Sequence, residues 1–354
     1  MIKNPQFELA KSSKLLKYLR EVEKNKIYSN FGPLYFNLKN KFENKFNYKN
    51  NQIIFTSSGH SSLLAITKYL RSKTKKNYVI CPSYSFYSNP SSIIDAGFKP
   101  MFVDINEKDL ILNFDTTQKI LKKNKNIAFI MVVSPLGHKI NVRKLNDLRN
   151  KFKLPIVYDA ADNFLNLEKN ITNNKIFISL SFHPTKTFGG NESGMILCPS
   201  KHAKHIKNLI NFGGQNYIGF NGKFSEYDAA ILLANYNQIK KKMKKLKSIH
   251  EIFNKKLNHN YIFKDLNNYK SNKFMFYSKI KKNKIQECLN KFKIQIFSLW
   301  SSKSMHELNV FQRYQKTTMR VTNNTKKNLH TFFLNENFSL KKFNDICLKL
   351  NNLK

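Results

Sequence analysis

The 354-residue chain predicts an α/β protein with a mostly parallel sheet flanked by helices, followed by a smaller C-terminal α+β domain. Three observations predict it. Between about residues 50 and 200, short apolar runs alternate with amphipathic stretches, the pattern of strands buried on both faces and the helices that cover them. All eleven glycines precede residue 223, which confines tight turns and close backbone approaches to the first two-thirds. A long amphipathic stretch then leads into a glycine-free tail.

In order along the chain, QIIFTS pairs with SSLLAITKYLRS, YVICPS with SNPSSIIDAG, KPMFVDI with DTTQKILKKN, and IAFIMVVS with VRKLNDLRNKF. PIVYDA, IFISLSF and GMILCP add three further strands. From Ser225, a suitable N-cap, Ala229, Leu232, Tyr236, Ile239, Met243, Leu246, Phe253 and Leu257 recur at spacings of three, four or their sum. This predicts one continuous helix bridging out of the large domain. Beyond it SNKFMFYSKI reads as a strand, and KIQECLNKFKI and SLKKFNDICLKLNNL read as helices. The expected division is a large domain over 1–245 and a small one over 246–354.

Composition narrows the function. No apolar run approaches the roughly 20 residues of a membrane helix, and the N-terminus lacks the apolar core of a secretory signal, so no membrane partner and a cytoplasmic location are expected. Cys81, Cys198, Cys288 and Cys347 lie far apart without a CxxC pair, which argues for reduced thiols and against a metal site. The 62 basic and 22 acidic residues give a net charge of +40. Asn-, Ile- and Phe-rich neighbours around the lysine runs suggest compositional bias, and arginine, the better base and phosphate reader, is scarce, so no nucleic-acid partner is expected.

In an open α/β sheet, ligands sit beyond the carboxyl ends of the strands, and four loops there stand out. FTSSGHSSLLAI (55–66) runs from strand through a Ser-Ser-Gly turn into a helix, aiming free N–H groups at one point as a phosphate cradle would. In PSYSFYSNPSS (82–92), Phe86 follows a strand where its ring could cover a planar ligand; the plain alternative is one more core Phe among thirty. In IVYDAADNF (156–164), Asp159 ends an apolar strand and needs a cationic partner there, unless it caps a helix or pairs with a lysine. In SFHPTKTFGGNESGMI (181–196), Lys186 follows a strand, five residues after Ser181 and ahead of Gly189, Gly190 and Gly194. A partly desolvated lysine can attack an aldehyde, although a single lysine in so basic a chain is ordinarily a solvated one. Cradle, stacking ring, buried acid and loop lysine, in that order, are the parts that hold pyridoxal phosphate.

Six segments carry a resemblance. NFGPLYFNLKNKF, SSGHSSLLAI, VICPSYSFYSNPSSIIDAGFKPMFVDI, YDAADNF, SFHPTKTFGGNESGMI and GFNGKFSEYDAAILLANY resemble, in this order, the motifs of the DegT/DnrJ/EryC1/StrS sugar aminotransferases. The resemblance covers nearly all of the first 260 residues. It implies the aspartate-aminotransferase-like fold, with pyridoxal 5'-phosphate as cofactor. It also implies an amino-group transfer from L-glutamate to a nucleotide-linked keto sugar, expected to be a 4-keto-6-deoxy sugar, in amino-sugar and cell-surface polysaccharide synthesis. By the matched positions, Lys186 would bind the aldehyde and shuttle the proton, Asp159 would pair with the ring nitrogen, and Phe86 would stack. Gly59, His60 and Ser181 would hold the phosphate, and Asn221 would reach the phosphate site of a second subunit, implying a homodimer with shared sites.

The chain departs from the family pattern at several points. Asp162 stands where Gln or His usually faces the cofactor's phenolic oxygen, placing an acceptor where a donor is usual. His60 replaces Thr, Asn191 and Ser193 replace glycines beside Glu192, and Lys223 replaces Arg. FSLWSSKSMH only loosely matches the family's substrate-side segment, leaving the sugar open. The alternatives are sugar dehydration, whose family members typically lack the lysine that Lys186 supplies, and a non-catalytic basic nucleic-acid-binding protein.

Overall fold

The computed structural model describes residues 9–46, 52–138, 140–167, 175–258, 271–300, 302–335 and 337–353. Two helices, α1 (Ser12–Asn25) and α2 (Pro33–Phe46), precede the sheet. Strand and helix then alternate: β1 (Ile53–Thr56), α3 (Gly59–Arg71), β2 (Tyr78–Pro82), α4 (Ser88–Asp95), β3 (Lys99–Val103), α5 (Phe114–Lys123), β4 (Ile127–Val133), α6 (Val142–Phe152) and β5 (Ile156–Asp159). Strands β6 (Ile176–Ser181) and β7 (Gly194–Leu197) follow, then α7 (Ser200–Leu209) and a hairpin of β8 (Asn211–Gly214) and β9 (Tyr217–Asn221). The remainder is α8 (Glu226–Tyr236), α9 (Ile239–Lys256), β10 (Lys273–Tyr277), α10 (Lys282–Asn290), α11 (Arg320–Asn328), β11 (Leu329–Phe333) and α12 (Leu340–Asn351).

The main sheet has the order β1-β7-β6-β5-β4-β2-β3. Only β7 runs against its neighbours, pairing antiparallel with both β1 and β6, so the sheet is mostly parallel as expected. Alternation along β4 shows the layering. Ile130 and Val132 pack with residues of α1, α2, α6 and α8, while Phe129, Met131 and Val133 pack with residues of α3, α4 and α7. Every residue of β4 is buried, as a central parallel strand covered on both faces must be.

The N-terminal segment is tied into this body by one carboxylate. Glu226, buried at the start of α8, accepts from the N–H groups of Leu34 and Tyr35 at 2.7 and 2.9 Å, filling the open end of α2. Gly32 lies against that carboxylate; a Cβ there would come within 2.6 Å of it, which accounts for the glycine in NFGP.

The bridging segment is two helices, not one. Ser225 caps α8 in a reciprocal capping box with Asp228, as its position predicts, but the helix stops at Tyr236 and α9 restarts at Ile239. The cause lies in the Asn-rich link. Asn235 donates to the Gly189 carbonyl at 2.8 Å and accepts from the Ala10 N–H at 2.7 Å, and Asn237 donates to the Tyr18 hydroxyl at 3.0 Å. These tertiary bonds hold residues of weak helix propensity in a turn that apolar spacing does not register.

Helix α9 then spans two cores. Ile239 and Met243 pack against the large one, and Leu246, Ile249 and Phe253 belong to a separate cluster with β10, β11, α10 and α12. The strands β10 and β11 form an antiparallel pair in which Lys273 faces Phe333.

Candidate active site

The carboxyl ends of β1, β2, β5 and β6 converge on one region. At β1, Ser58 adopts an extended conformation and its Oγ accepts from the Ser61 N–H at 3.0 Å, capping α3. The N–H groups of Gly59 and His60, in the first turn, have no intrahelical acceptor and point toward the helix's positive end. Close packing holds this turn in place. A Cβ on Gly194 would lie 2.5 Å from the Ser58 carbonyl oxygen, and one on Gly59 would lie 2.7 Å from the Ser181 Cβ. The structure therefore brings Ser181, at the end of β6, directly against the Ser-Ser-Gly turn. The His60 ring lies toward α4, its Nε2 3.9 Å from the Asp95 carboxylate, so it is the backbone of His60 that the turn presents.

Asp159 ends β5 and is buried, accepting from the Ala161 N–H at 3.0 Å. Burial pushes its pKa above the usual carboxylate range, against the opposing pull of Lys186, Asn89 and the Ala161 N–H. Asn89, buried on α4, leaves its Oδ1 without a hydrogen-bond partner. A raised carboxyl beside an unsatisfied amide oxygen is a polar pair that the folded chain alone leaves incomplete. Phe86 is not the core Phe of the plain alternative: it is 47% exposed at the end of β2, edge-on to Tyr87 with ring centroids 5.6 Å apart.

Lys186 sits half-buried in the turn after β6, its N–H donating to the His183 carbonyl at 2.8 Å. Its charge acts on both Asp159 and Asp162. Lys186 therefore lies within electrostatic reach of both carboxyls. Asp162, however, has its own partners. Its Oδ1 accepts from the Thr187 N–H at 2.6 Å and its Oδ2 from the Lys273 ammonium at 2.6 Å. Burial opposes ionisation of Asp162, but Lys273 and Lys186 outweigh it and hold the carboxyl below its usual range. Asp162 is thus an ionised acceptor paired with Lys273, whose three ammonium donors go to Asp162, Thr185 and Asn272.

Asn221 is exposed on the hairpin, outside this cluster; its neighbour Gly222 touches the cradle, the carbonyl accepting from the Ser57 N–H at 2.9 Å. The departures around Glu192 have structural partners: Ser193 Oγ donates to Asn191 Oδ1 at 2.7 Å, and Asn191 donates to Asp228 at 2.8 Å, joining the turn to α8. Lys223 donates to Asn211 at 3.2 Å across the hairpin.

Sequence reasoning missed Asn89, Asn272 and Lys273. A lysine opening the apolar run KFMFY was the available signal for the last, since a cation in a buried strand requires a partner. Among the described residues, no group of His, Cys, Asp or Glu could hold a metal ion, and no helix is long and apolar enough to cross a membrane.

The fold is that of solved aminotransferase structures. Helicobacter pylori PseC, an aminotransferase involved in pseudoaminic acid biosynthesis, superposes with a TM-score of 0.84 over 98% of both chains at 17% identity. A DegT DnrJ EryC1 StrS aminotransferase from Brucella abortus gives 0.82 over 97% of this chain and 96% of that one, at 16% identity. The chain belongs to the DegT/DnrJ/EryC1/StrS aminotransferase family, whose model matches residues 10–350. It is 30% identical to the dTDP-4-amino-4,6-dideoxy-D-glucose transaminase of Shigella dysenteriae over 60% of this chain, and 26% identical to the GDP-perosamine synthase of Escherichia coli O157:H7 over 62%. These matches span 59% and 62% of the two relatives' lengths.

Proposed function

We propose that the protein is a pyridoxal-phosphate-dependent aminotransferase that moves an amino group from L-glutamate to a nucleotide-linked keto sugar. The observation that carries this is the buried Asp159 carboxyl, raised by burial and set within the field of Lys186. The residues fit the cofactor: a cationic ring nitrogen would answer the Asp159 carboxyl and the unsatisfied Asn89 Oδ1, and a phosphate would answer the free N–H groups of the Gly59 turn. The exposed Phe86 offers the face for a planar ring.

When bound, the cofactor supplies an aldehyde that condenses with amines and a protonated ring that acts as electron sink. Asp159 would hold the proton on the ring nitrogen. Gly59, His60 and Ser181 would hold the phosphate, the first two through backbone N–H groups. Lys186 Nζ would hold the aldehyde and, when free of it, would be the group placed to carry a proton at the substrate carbon. Asp162 and Lys273 form an ion pair beside the Lys186 turn.

The large unit, 1–245, carries the cofactor in this reading, and 246–354 forms the small domain. A homodimer with shared sites is part of this reading: Phe212 is 62% and Ile218 87% exposed on the hairpin that Asn221 ends, and a second subunit would cover them. The four free cysteines fit a reducing compartment, the cytoplasm. The relatives named for dTDP- and GDP-linked sugars support a nucleotide-sugar acceptor. The test is a panel of nucleotide-linked keto sugars, including 4-keto-6-deoxy sugars, incubated with the enzyme and L-glutamate. Formation of 2-oxoglutarate that depends on one sugar confirms the reaction; none with any sugar, in a protein that binds the cofactor, refutes the acceptor class.

A further inference from the structure

The two units of the chain meet at the backbone of the site lysine. At the start of β10, three consecutive residues, Ser271, Asn272 and Lys273, are all buried. Lys273 Nζ donates to the Thr185 carbonyl at 2.7 Å, to Asp162 Oδ2 at 2.6 Å and to Asn272 Oδ1 at 3.1 Å. Asn272 Nδ2 donates to the carbonyls of Thr185 and Lys186 at 3.3 and 3.4 Å, and the Asn272 N–H donates to Thr187 Oγ1 at 3.2 Å. From the other side, Asp162 Oδ1 takes the Thr187 N–H. Residues 185–187 are therefore gripped at each peptide, by β10 of the small unit and by the loop after β5 of the large one.

We propose that Lys273, acting through Asp162 and alongside Asn272, is a positioning residue that clamps the Lys186 turn and couples it to the small C-terminal unit. Three arguments carry this. An isolated buried ammonium is costly, and here each of its hydrogen bonds ends in the turn, in the acid that holds the turn or in the adjacent Asn272. The acid is ionised, so the pair is charge-assisted. The bonds cross between two separate hydrophobic cores, so movement of the small unit bears directly on the lysine backbone.

The charged and titratable groups facing the Lys273 ammonium are Asp162, Lys186, His183 and, from α9, Lys242; the Phe333 ring of β11 lies 5.1 Å away. Burial and the Lys186 charge lower the pKa of Lys273 to about 8 while Asp162 opposes them, so the clamp loosens as pH rises past that value.

The inference rests on the aminotransferase reading for its functional meaning, but the clamp is testable without cofactor. Backbone hydrogen exchange is followed in the cofactor-free full chain, wild type against Lys273→Met, Lys273→Arg and the double variant Asp162→Asn/Lys273→Met. The double variant strands no charge and so keeps the chain folded if the single one does not. The clamp predicts exchange over residues 185–187 faster by about tenfold or more in both Met variants, near wild type in Lys273→Arg, and unchanged in α12. Unchanged exchange at 185–187 in a folded Met variant overturns it.

A second readout uses the cofactor-loaded protein and the pH midpoint of its visible band. Removing the Lys273 cation should move that midpoint up, and Asp162→Asn should move it down, each by about one pH unit. A merely structural role would move both the same way, and that result overturns the positioning claim. Absence of the band from wild type would defeat the cofactor reading, while the exchange comparison would still decide the clamp.

Discussion

Gly59 and Ser181 touch so closely that a methyl group on Gly59 would lie 2.7 Å from the Ser181 Cβ and 3.3 Å from its Cα. Two strand ends, β1 and β6, are thereby held in contact where the free N–H groups of α3 emerge, and neither obstructing atom is the end of a flexible side chain. Gly59→Ala must push the turn away from Ser181. The expected result is a folded protein destabilised by about 1–3 kcal/mol, the usual cost of overpacking, with its affinity for pyridoxal phosphate down by about tenfold or more. Thermal melting and a spectroscopic cofactor titration measure the two effects.

Asp159→Asn separates the acid's chemical role from its structural cost. Because burial raises the Asp159 pKa above 3.8 in the fold, its contribution to cofactor-free stability is present at low pH and is lost as pH rises through the folded value. The variant lacks that loss, so cofactor-free Asp159→Asn should gain stability relative to wild type as pH is raised from about 4 toward neutrality. Its turnover should instead fall by about 100-fold or more, since the ring proton loses its carboxylate. Parallel melts across pH and single-turnover rates with L-glutamate check both signs.

His250 provides an acid-labile point between the helix α9 and the clamp. It is buried, its Nε2–H donates to the Ser271 carbonyl at 2.8 Å, and burial lowers its pKa from 6.5 to about 4. The neutral ring is the folded form, so the stability it gives is full above pH 6.5 and falls as pH drops toward 4. About 3 kcal/mol is at stake over that window by the usual conversion of pKa to free energy. In His250→Gln the difference in stability between pH 7 and pH 4.5 should shrink by a large part of this amount, as denaturant titrations at the two pH values would show.

The strand ends were legible because a strand buried on both faces reads as an apolar run, and the residue that breaks it is conspicuous: Asp159 after IVY, Ser181 and Lys186 after IFISL. Phe86 was placed by the same logic, and its exposure distinguishes it from the buried phenylalanines. What the sequence hid depends on contacts between distant segments. Lys273 lies 111 residues from its partner Asp162, with nothing local to pair them. Asn89 reads as a turn residue until α4 is seen beside Asp159. The break between α8 and α9 is invisible to apolar spacing because the bonds of Asn235 and Asn237 that fix it reach back to α1 and its flank and to the Lys186 loop. The short, exposed β8–β9 hairpin lacks a buried face and so carries no hydrophobic period.

The central claim is that Lys186 is the cofactor's attachment point, and the visible spectrum tests it most directly. Purified wild type and Lys186→Ala are each mixed with pyridoxal phosphate, their spectra recorded, and L-glutamate then added. The account predicts a yellow band in wild type that glutamate bleaches, and no such band in a folded Lys186→Ala. An equal band in the two proteins, or none in either, would contradict it.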